Sequence, residues 1–552
     1  MTIDVARAVC ERTGGAAVVE GSIDPLGRRY VLGLSAKDCH TGDVLFQEQV
    51  QAASKEDVLD SLSQLAGRFR KRAGESLATV KQYSMPLAEA TTTSLEAWKA
   101  YSEGRRLTVT KGAPVALPFL QHAVTIDPKF ATAYATLGLT YSAAGQTALS
   151  RENIQKAWGL RDRASEHERF FIEILYHRVA TGNLEKARQI GELWSRTYPR
   201  DNEAHSLLSG SILSGLGQHE KGEEEAKKAI EADPDNAYGY HNLANNYILR
   251  NRPGEAQSTL KRAFDRHLDI FEFLGLQHQI AFLQADRQEM DRILALSQNR
   301  TDTEDWICNM AAGSLAYAGH WREARVKGHR AVDLAVATGH LEGAAQDEAA
   351  LAVREFLFGY PIEARRAALA ALAYSYSREA EFGAALTLAF LRDARSEGLL
   401  NDLNKRFPED TFVQFSYLPV LRAQLALNHG DFVKAIELLQ PAAPYELGWQ
   451  GATTSGFSGS LYPAYLRGQA YLAAGRGAEA ATEFEKVVTH IGVVSNDPTI
   501  IAPARLRLAK AYTVSGDREK AKAAYEDFFN LWKTADLDIR ILDDARAEYA
   551  KL

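Results

Sequence analysis

Residues 229–264, "AIEADPDNAYGYHNLANNYILRNRPGEAQSTLKRAF", decide the fold. Tyr240, Leu243, Ala244 and Tyr247 recur at helical spacing and share one face, and Arg252-Pro253-Gly254 then turns the chain. Ala256, Leu260 and Ala263 line a second helix. Small Ala244 and Ala256 let the two helices approach closely, while the tyrosines and Leu260 fill the space around them. Asp233-Pro234 ends the helix before the pair, because a residue that precedes proline is pushed out of the α region. One such hairpin cannot cover its own apolar face, so it needs stacked neighbours.

The neighbours are present. "PKFATAYATLGLTYSAAG", residues 128–145, repeats the first helix, with Tyr134, Leu137, Gly138 and Tyr141 at the same spacing. The small residue that opens the second helix recurs as Ala116, Ala187, Gly222, Ala256, Ala324, Ala364, Ser396, Ala435, Ala480 and Ala521. Ala187, Gly222 and Ala256 follow one another at 35 and 34 residues. The wider gaps after Ala116 and Ala256 each hold two units, weak ones near 146–180 and 265–295, and the stretched gap from Ala435 to Ala480 predicts a longer loop.

A period of about 34 residues is that of the tetratricopeptide repeat. Pro128, Gly138, Tyr141 and Gly145, with Ala480, Phe484, Ala521 and Tyr525, resemble that family at its boundary, first-helix and second-helix positions. The resemblance runs from about Ser94 to the C-terminus. It implies a mainly α protein: an α-solenoid, a superhelix of about 12 helical hairpins over residues 98–552, with a linker at 86–97.

A different pattern precedes the array. Ile3, Ala6, Val9 and Cys10 mark a helix that ends near Gly14-Gly15. "AAVVEGSI", "RRYVLGLSA" and "DVLFQEQVQ" read as three strands, with Asp24-Pro25-Leu26-Gly27 as the hairpin turn and Thr41-Gly42-Asp43 in the second connection. Tyr30, Leu32, Leu34 and Ala36 alternate, so one sheet face is covered. The cover is a helix opened by Ser54-Lys55-Glu56-Asp57 in the manner of a capping box, with Val58, Leu62, Leu65 and Phe69 as its stripe. Gly21-Ser22, Tyr30 and Thr41-Gly42-Asp43-Val44-Leu45 make residues 1–85 resemble the TolB amino-terminal-like domain found ahead of tetratricopeptide repeats in bacterial regulators. The domain opens with no strand to complete its sheet edge, which predicts truncation at its N-terminus. "LYPAYLRGQAYLAAGRGAEAATEFEKVV" resembles the C-terminal, extracatalytic half of bacterial serine/threonine kinases that carry such repeats, a half that winged-helix transcription regulators share.

Composition and charge exclude other classes. The chain has 552 residues, too many for one core, and a formal charge of -7, which leaves no basic footprint for nucleic acid. No apolar run is long enough to insert in a membrane, and MTIDVARAVCERTGG lacks the order of a signal peptide. Cys10, Cys39 and Cys308 are too few for a four-cysteine zinc site; Cys10 and Cys39 either pair or remain free thiols. His241, His278, His320 and His490 fall in separate units without metal-ligand spacing. No metal and no cofactor is expected. A kinase needs a glycine-rich phosphate loop, an HRD loop and a DFG aspartate, and all three are absent. "GLGQHEKG" reads as a repeat turn around Gly217, "SGFSGS" as a flexible loop, and "KGEEEAKKAIEAD" as a solvated helical face.

These readings predict a non-catalytic scaffold or sensor module of a bacterial signalling protein. It binds a peptide or protein segment in the groove lined by first helices. The alternative is the regulatory part of a kinase, or of a winged-helix regulator, whose output domain lies outside this chain. Helical phase places Tyr238, His241 and Asn245, and Tyr462, Tyr465 and Gln469, on the groove side. The lysine and arginine cluster of a peptide-carboxylate clamp is not visible on the first helices.

Overall fold

The computed structural model describes residues 6–8, 10–11, 15–55, 57–75, 92–298, 300, 303–449, 456–457, 459–537 and 539–552. They form two compact bodies: residues 1–108, 113–140 and 152–173 in the first, and 109–112, 141–151 and 174–552 in the second.

The first body opens with an antiparallel meander, β1 (Ala17–Leu26), β2 (Arg29–Asp38) and β3 (Val44–Ala52), in the order β1-β2-β3. Leu26 pairs with Arg29, so the turn is Gly27-Arg28, and Asp24 and Pro25 lie inside the strand rather than in the expected four-residue turn. The ladder won because Gly27 takes φ 65°, which closes a two-residue hairpin. Pro25 is tolerated because β1 is an edge strand. Leu32 and Ala36 are buried, and Leu32 packs with Ala52 against Val58 and Leu65 of the helix Val58–Arg72. The expected capping box is not what opens this helix: Asp57 is the N-cap without a side-chain bond, and Ser54 donates instead to the Asp57 carboxylate at 2.9 Å. Glu56 lies outside the described residues, as do Ile3, Val9, Gly14, residues 86–91 of the linker and Ser458. Cys10 and Cys39 are disulfide-bonded, with Cα atoms 5.9 Å apart. The first helix of the array begins at Leu95, inside the segment read as linker, and Ala113–Ile126 follows it.

In the second body, hairpins succeed one another from Asn202 to Leu531, each pairing a buried first helix with an amphipathic second helix. The quoted stretch forms Ala237–Leu249 and Pro253–Asp265, joined by a turn in which Asn251 takes φ 56° and Pro253 opens the second helix. Tyr240, Leu243, Ala244, Tyr247, Ala256, Leu260 and Ala263 share one core cluster. The preceding helix ends at Ala232, with Asp233 extended before Pro234.

All ten small residues that carried the period are buried on second helices. The two units that resisted reading have Ser150 and Met290 at that place, one polar and one large. The stretched gap after Ala435 is filled by the segment between Leu439 and Tyr462.

Later linkers of this body bond to its earlier turns. Thr411 donates its N–H to the Gly182 carbonyl at 3.0 Å, and Trp449 donates to Ser214 at 2.9 Å. Gly492 donates to the Asn251 side chain at 2.7 Å, and Asp536 donates to Gly319 at 3.0 Å. A Cβ on Gly182 would sit 2.0 Å from the Asp410 carboxylate, and its φ is 71°, so only glycine fits there.

Candidate functional site

Three first helices of the array contain one turn wound with a π-type bond: Tyr176–Ala180, Leu208–Ile212 and Val413–Tyr417. Such turns re-aim side chains and recur at functional sites. The first two carry Arg178 and Ser211, and Arg178 Nη1 donates to Ser211 Oγ at 2.8 Å. Both residues line a cavity of about 320 Å³ in the second body.

Four arginines reach this cavity: Arg151, Arg178, Arg378 and Arg406. Two are neutralised. Arg378 donates to Asp410 at 2.6 Å and pairs with Glu379, and these carboxylates hold its guanidinium firmly protonated despite burial. Arg406 bonds Asp402 at 2.9 Å, Glu381 at 3.1 Å and the Tyr376 carbonyl at 2.6 Å. The other two are not. Among the described residues no carboxylate lies within ion-pair distance of Arg151 or Arg178, and the buried Nε of each has no partner. Burial pushes the Arg178 guanidinium down to about 10. Burial, reinforced by Arg378 and Arg406, lowers Arg151 as well.

The rest of the lining is polar and aromatic. Arg151 and Arg406 lie 5.0 and 4.9 Å from the centre of the Phe407 ring, close enough for cation–π attraction. Ser377 Oγ is buried with no partner. Glu342 is occupied by Thr147, whose N–H donates to it at 3.0 Å, and burial raises its carboxyl. Each lining carboxylate accepts from a donor of its own, and Arg151 and Arg178 form no direct ion pair; Asp410, Glu379 and Glu342 act on Arg151 only through space.

The six groove residues read from the sequence lie elsewhere, on two helices whose hairpins are separated by five others. Tyr238 is half-buried and donates to Glu272 at 3.1 Å; burial and that carboxylate hold its phenol well above the usual range. His241 stands edge-on to Tyr238 with centroids 6.4 Å apart, and burial lowers its imidazole. Asn245 is buried with an unpartnered Oδ1. Tyr462 and Tyr465 are buried, edge-on to Phe457 at 5.3 Å and Phe484 at 5.8 Å, while Gln469 is half-buried.

Sequence reading missed the cavity. Its residues come from separate hairpins, so no local spacing announces them; an arginine at a half-buried first-helix position, as at Arg178, was the available signal. Among the described residues, no group of three His, Cys, Asp or Glu side chains could hold a metal ion, and no helix is long and apolar enough to cross a membrane.

A family model described as Tetratricopeptide repeat matches residues 207–236, which run through the second helix His219–Ala232. The chain is mainly α, a succession of helical hairpins that is tetratricopeptide-like over the matched residues, with a small three-stranded sheet at residues 17–52. Solved structures similar to the chain include PilW, a type IV pilus biogenesis factor, at 17% identity over 38% of this chain and 94% of that one, with a TM-score of 0.28. The TPR domain of P58(IPK) is similar at 14% identity over 82% and 97%, with a TM-score of 0.20. The APC/C hetero-tetramer Cut9-Hcn1 is similar at 11% identity over 86% and 99%, with a TM-score of 0.29. No curated protein sequence matches the chain.

Proposed function

We propose that this chain is a non-catalytic scaffold that binds a peptide or protein segment through the first helices of its array, as the sensor part of a bacterial signalling protein. One observation carries the reading: turns and second helices of the array already exchange side-chain bonds with main chain distant in sequence. Asn251, in the turn before Pro253, accepts from Gly492 N–H and donates to the Thr489 carbonyl at 2.6 Å, so one side chain grips both polar groups of the main chain where the helix Gly477–Thr489 gives way to the turn Ile491–Val494. His219 Nε2 meets the Leu447 carbonyl at 3.0 Å, and Trp532 Nε1 donates to the Tyr317 carbonyl at 2.9 Å. Side-chain bonds to a main chain supply affinity without demanding a sequence, and flanking pockets add selectivity.

Half-buried Tyr238, His241 and Gln469 are the proposed contact residues. Asn245, Tyr462 and Tyr465 are buried and so are left out of the contact set. Photo-crosslinking amino acids at 238, 241 and 469 should capture a protein partner in cells. The same group at Ile362, 80% exposed on a second helix, should not. Equal capture at Ile362, or none at the three inner positions, refutes the reading.

A further inference from the structure

We propose that the cavity bounded by Arg151, Arg178, Arg378, Arg406 and Phe407 is a binding site for a small organic anion, one whose phosphate or carboxylate head sits between Arg151 and Arg178. The inference goes beyond the scaffold reading and does not depend on it.

The argument begins with cost. Burying a charged group without a counter-charge is expensive, and proteins pair or neutralise such groups. This chain pairs its most buried arginines: Arg354 with Asp497 at 3.2 Å, Arg378 with Asp410, and Arg467 with Glu446 and Glu483 at 2.7 Å each. Arg151, Arg178 and Arg505 keep a buried Nε without a partner, and two of the three, Arg151 and Arg178, meet at one cavity.

Their donors suit an oxyanion. A guanidinium presents its N–H groups in a planar fork that matches phosphate or carboxylate oxygens, and such bonds are charge-assisted. Arg178 spends one donor on Ser211, which fixes its direction, and keeps Nε unused. Ser377 adds an unpartnered hydroxyl and Ser142 another lining hydroxyl. Glu342, Glu379 and Asp410 make their direct bonds elsewhere, to Thr147 and Arg378, and act on Arg151 only through space, which leaves the remaining N–H groups of both arginines open to a ligand.

Size and the remaining walls describe the ligand. A volume of about 320 Å³ stands at the low end of small-molecule sites, roughly 300–1,000 Å³. Phe407, Phe412 and Tyr376 give it an apolar side. A compact metabolite with one anionic head and a short apolar or aromatic body matches both halves.

Titration calorimetry on the full chain tests this with inorganic phosphate and with acetate, at constant ionic strength held with chloride. Binding of either probe above the chloride background, with one site per chain, is expected. Arg178→Met should weaken it at least tenfold while leaving the variant as heat-stable as the parent, since the substitution removes a half-buried charge that has no ion pair. Ser211→Ala, which frees Arg178 from its guide, should weaken it less. Stronger phosphate binding assigns a phosphorylated ligand, and stronger acetate binding a carboxylate. No heat from either probe, or equal affinity in Arg178→Met, overturns the proposal.

Discussion

Arg354 and Asp497 meet at 3.2 Å inside the second body, 1% and 7% exposed, across 143 residues of chain. Arg354 also donates to the Asn309 carbonyl at 3.3 Å, and Asp497 accepts from Thr499 at 2.5 Å. The pair ties the linker before the helix Ile501–Ser515 to two earlier first helices, Glu304–Tyr317 and Leu341–Leu357. Removing one partner strands the other charge. Asp497→Ala should cost about 3 to 5 kcal/mol, read as a lower urea midpoint, and an unchanged midpoint would remove the pair from the account.

Helix approach in the quoted hairpin depends on small residues. Ala244 is fully buried, and a Cβ on Gly222 would already stand 2.3 Å from Asn246 Oδ1. Ala244→Leu should overpack the crossing by about 1 to 3 kcal/mol. Urea melts decide this, and a midpoint equal to the parent's would contradict the register.

The cysteines predict a labelling pattern. Cys10 and Cys39 are bonded, and Cys308 is buried, its thiol pushed up to about 11 by burial and then by Glu304. Alkylation followed by mass spectrometry should give no label on the native chain, one label after denaturation, and three after denaturation with reduction. Two or more labels without reductant would show the disulfide absent.

Stability should fall in mild acid. Burial pushes His219 and His278 down to about 4, below their unfolded value of about 6.5. Between those values the unfolded chain binds more protons than the folded one. The contribution of each residue is therefore complete above about pH 6.5 and lost as pH falls toward 4, about 3 kcal/mol apiece. His219→Gln should flatten the acid side of a plot of melting temperature against pH. A slope equal to the parent's would refute the assignment.

The hairpins were legible because one small residue recurs on one face of each second helix, and local geometry sets that spacing. Ser150 and Met290 hid two units for the same reason: a hydroxyl and a long thioether fill the crossing without announcing it. The turn at Gly27-Arg28 was misread because Asp-Pro is a turn signal by itself, and pairing with β2 overrode it. The cavity was not legible. Arg151, Arg178, Arg378 and Arg406 stand on three different hairpins, and only the stacking of the array brings them to one place. The linker contacts were hidden likewise, since a bond from Asn251 to Gly492 spans 241 residues and has no local trace.

The central claim is that the inner helices bind a protein segment, and amide hydrogen exchange with a partner captured by the inner crosslinks tests it most directly. Partner addition should slow exchange in Ala237–Leu249 and Tyr462–Ala473, which carry Tyr238, His241 and Gln469. The second helices Pro253–Asp265 and Gly477–Thr489 should be left unchanged. Protection confined to those second helices, or to the sheet of residues 17–52, would contradict it.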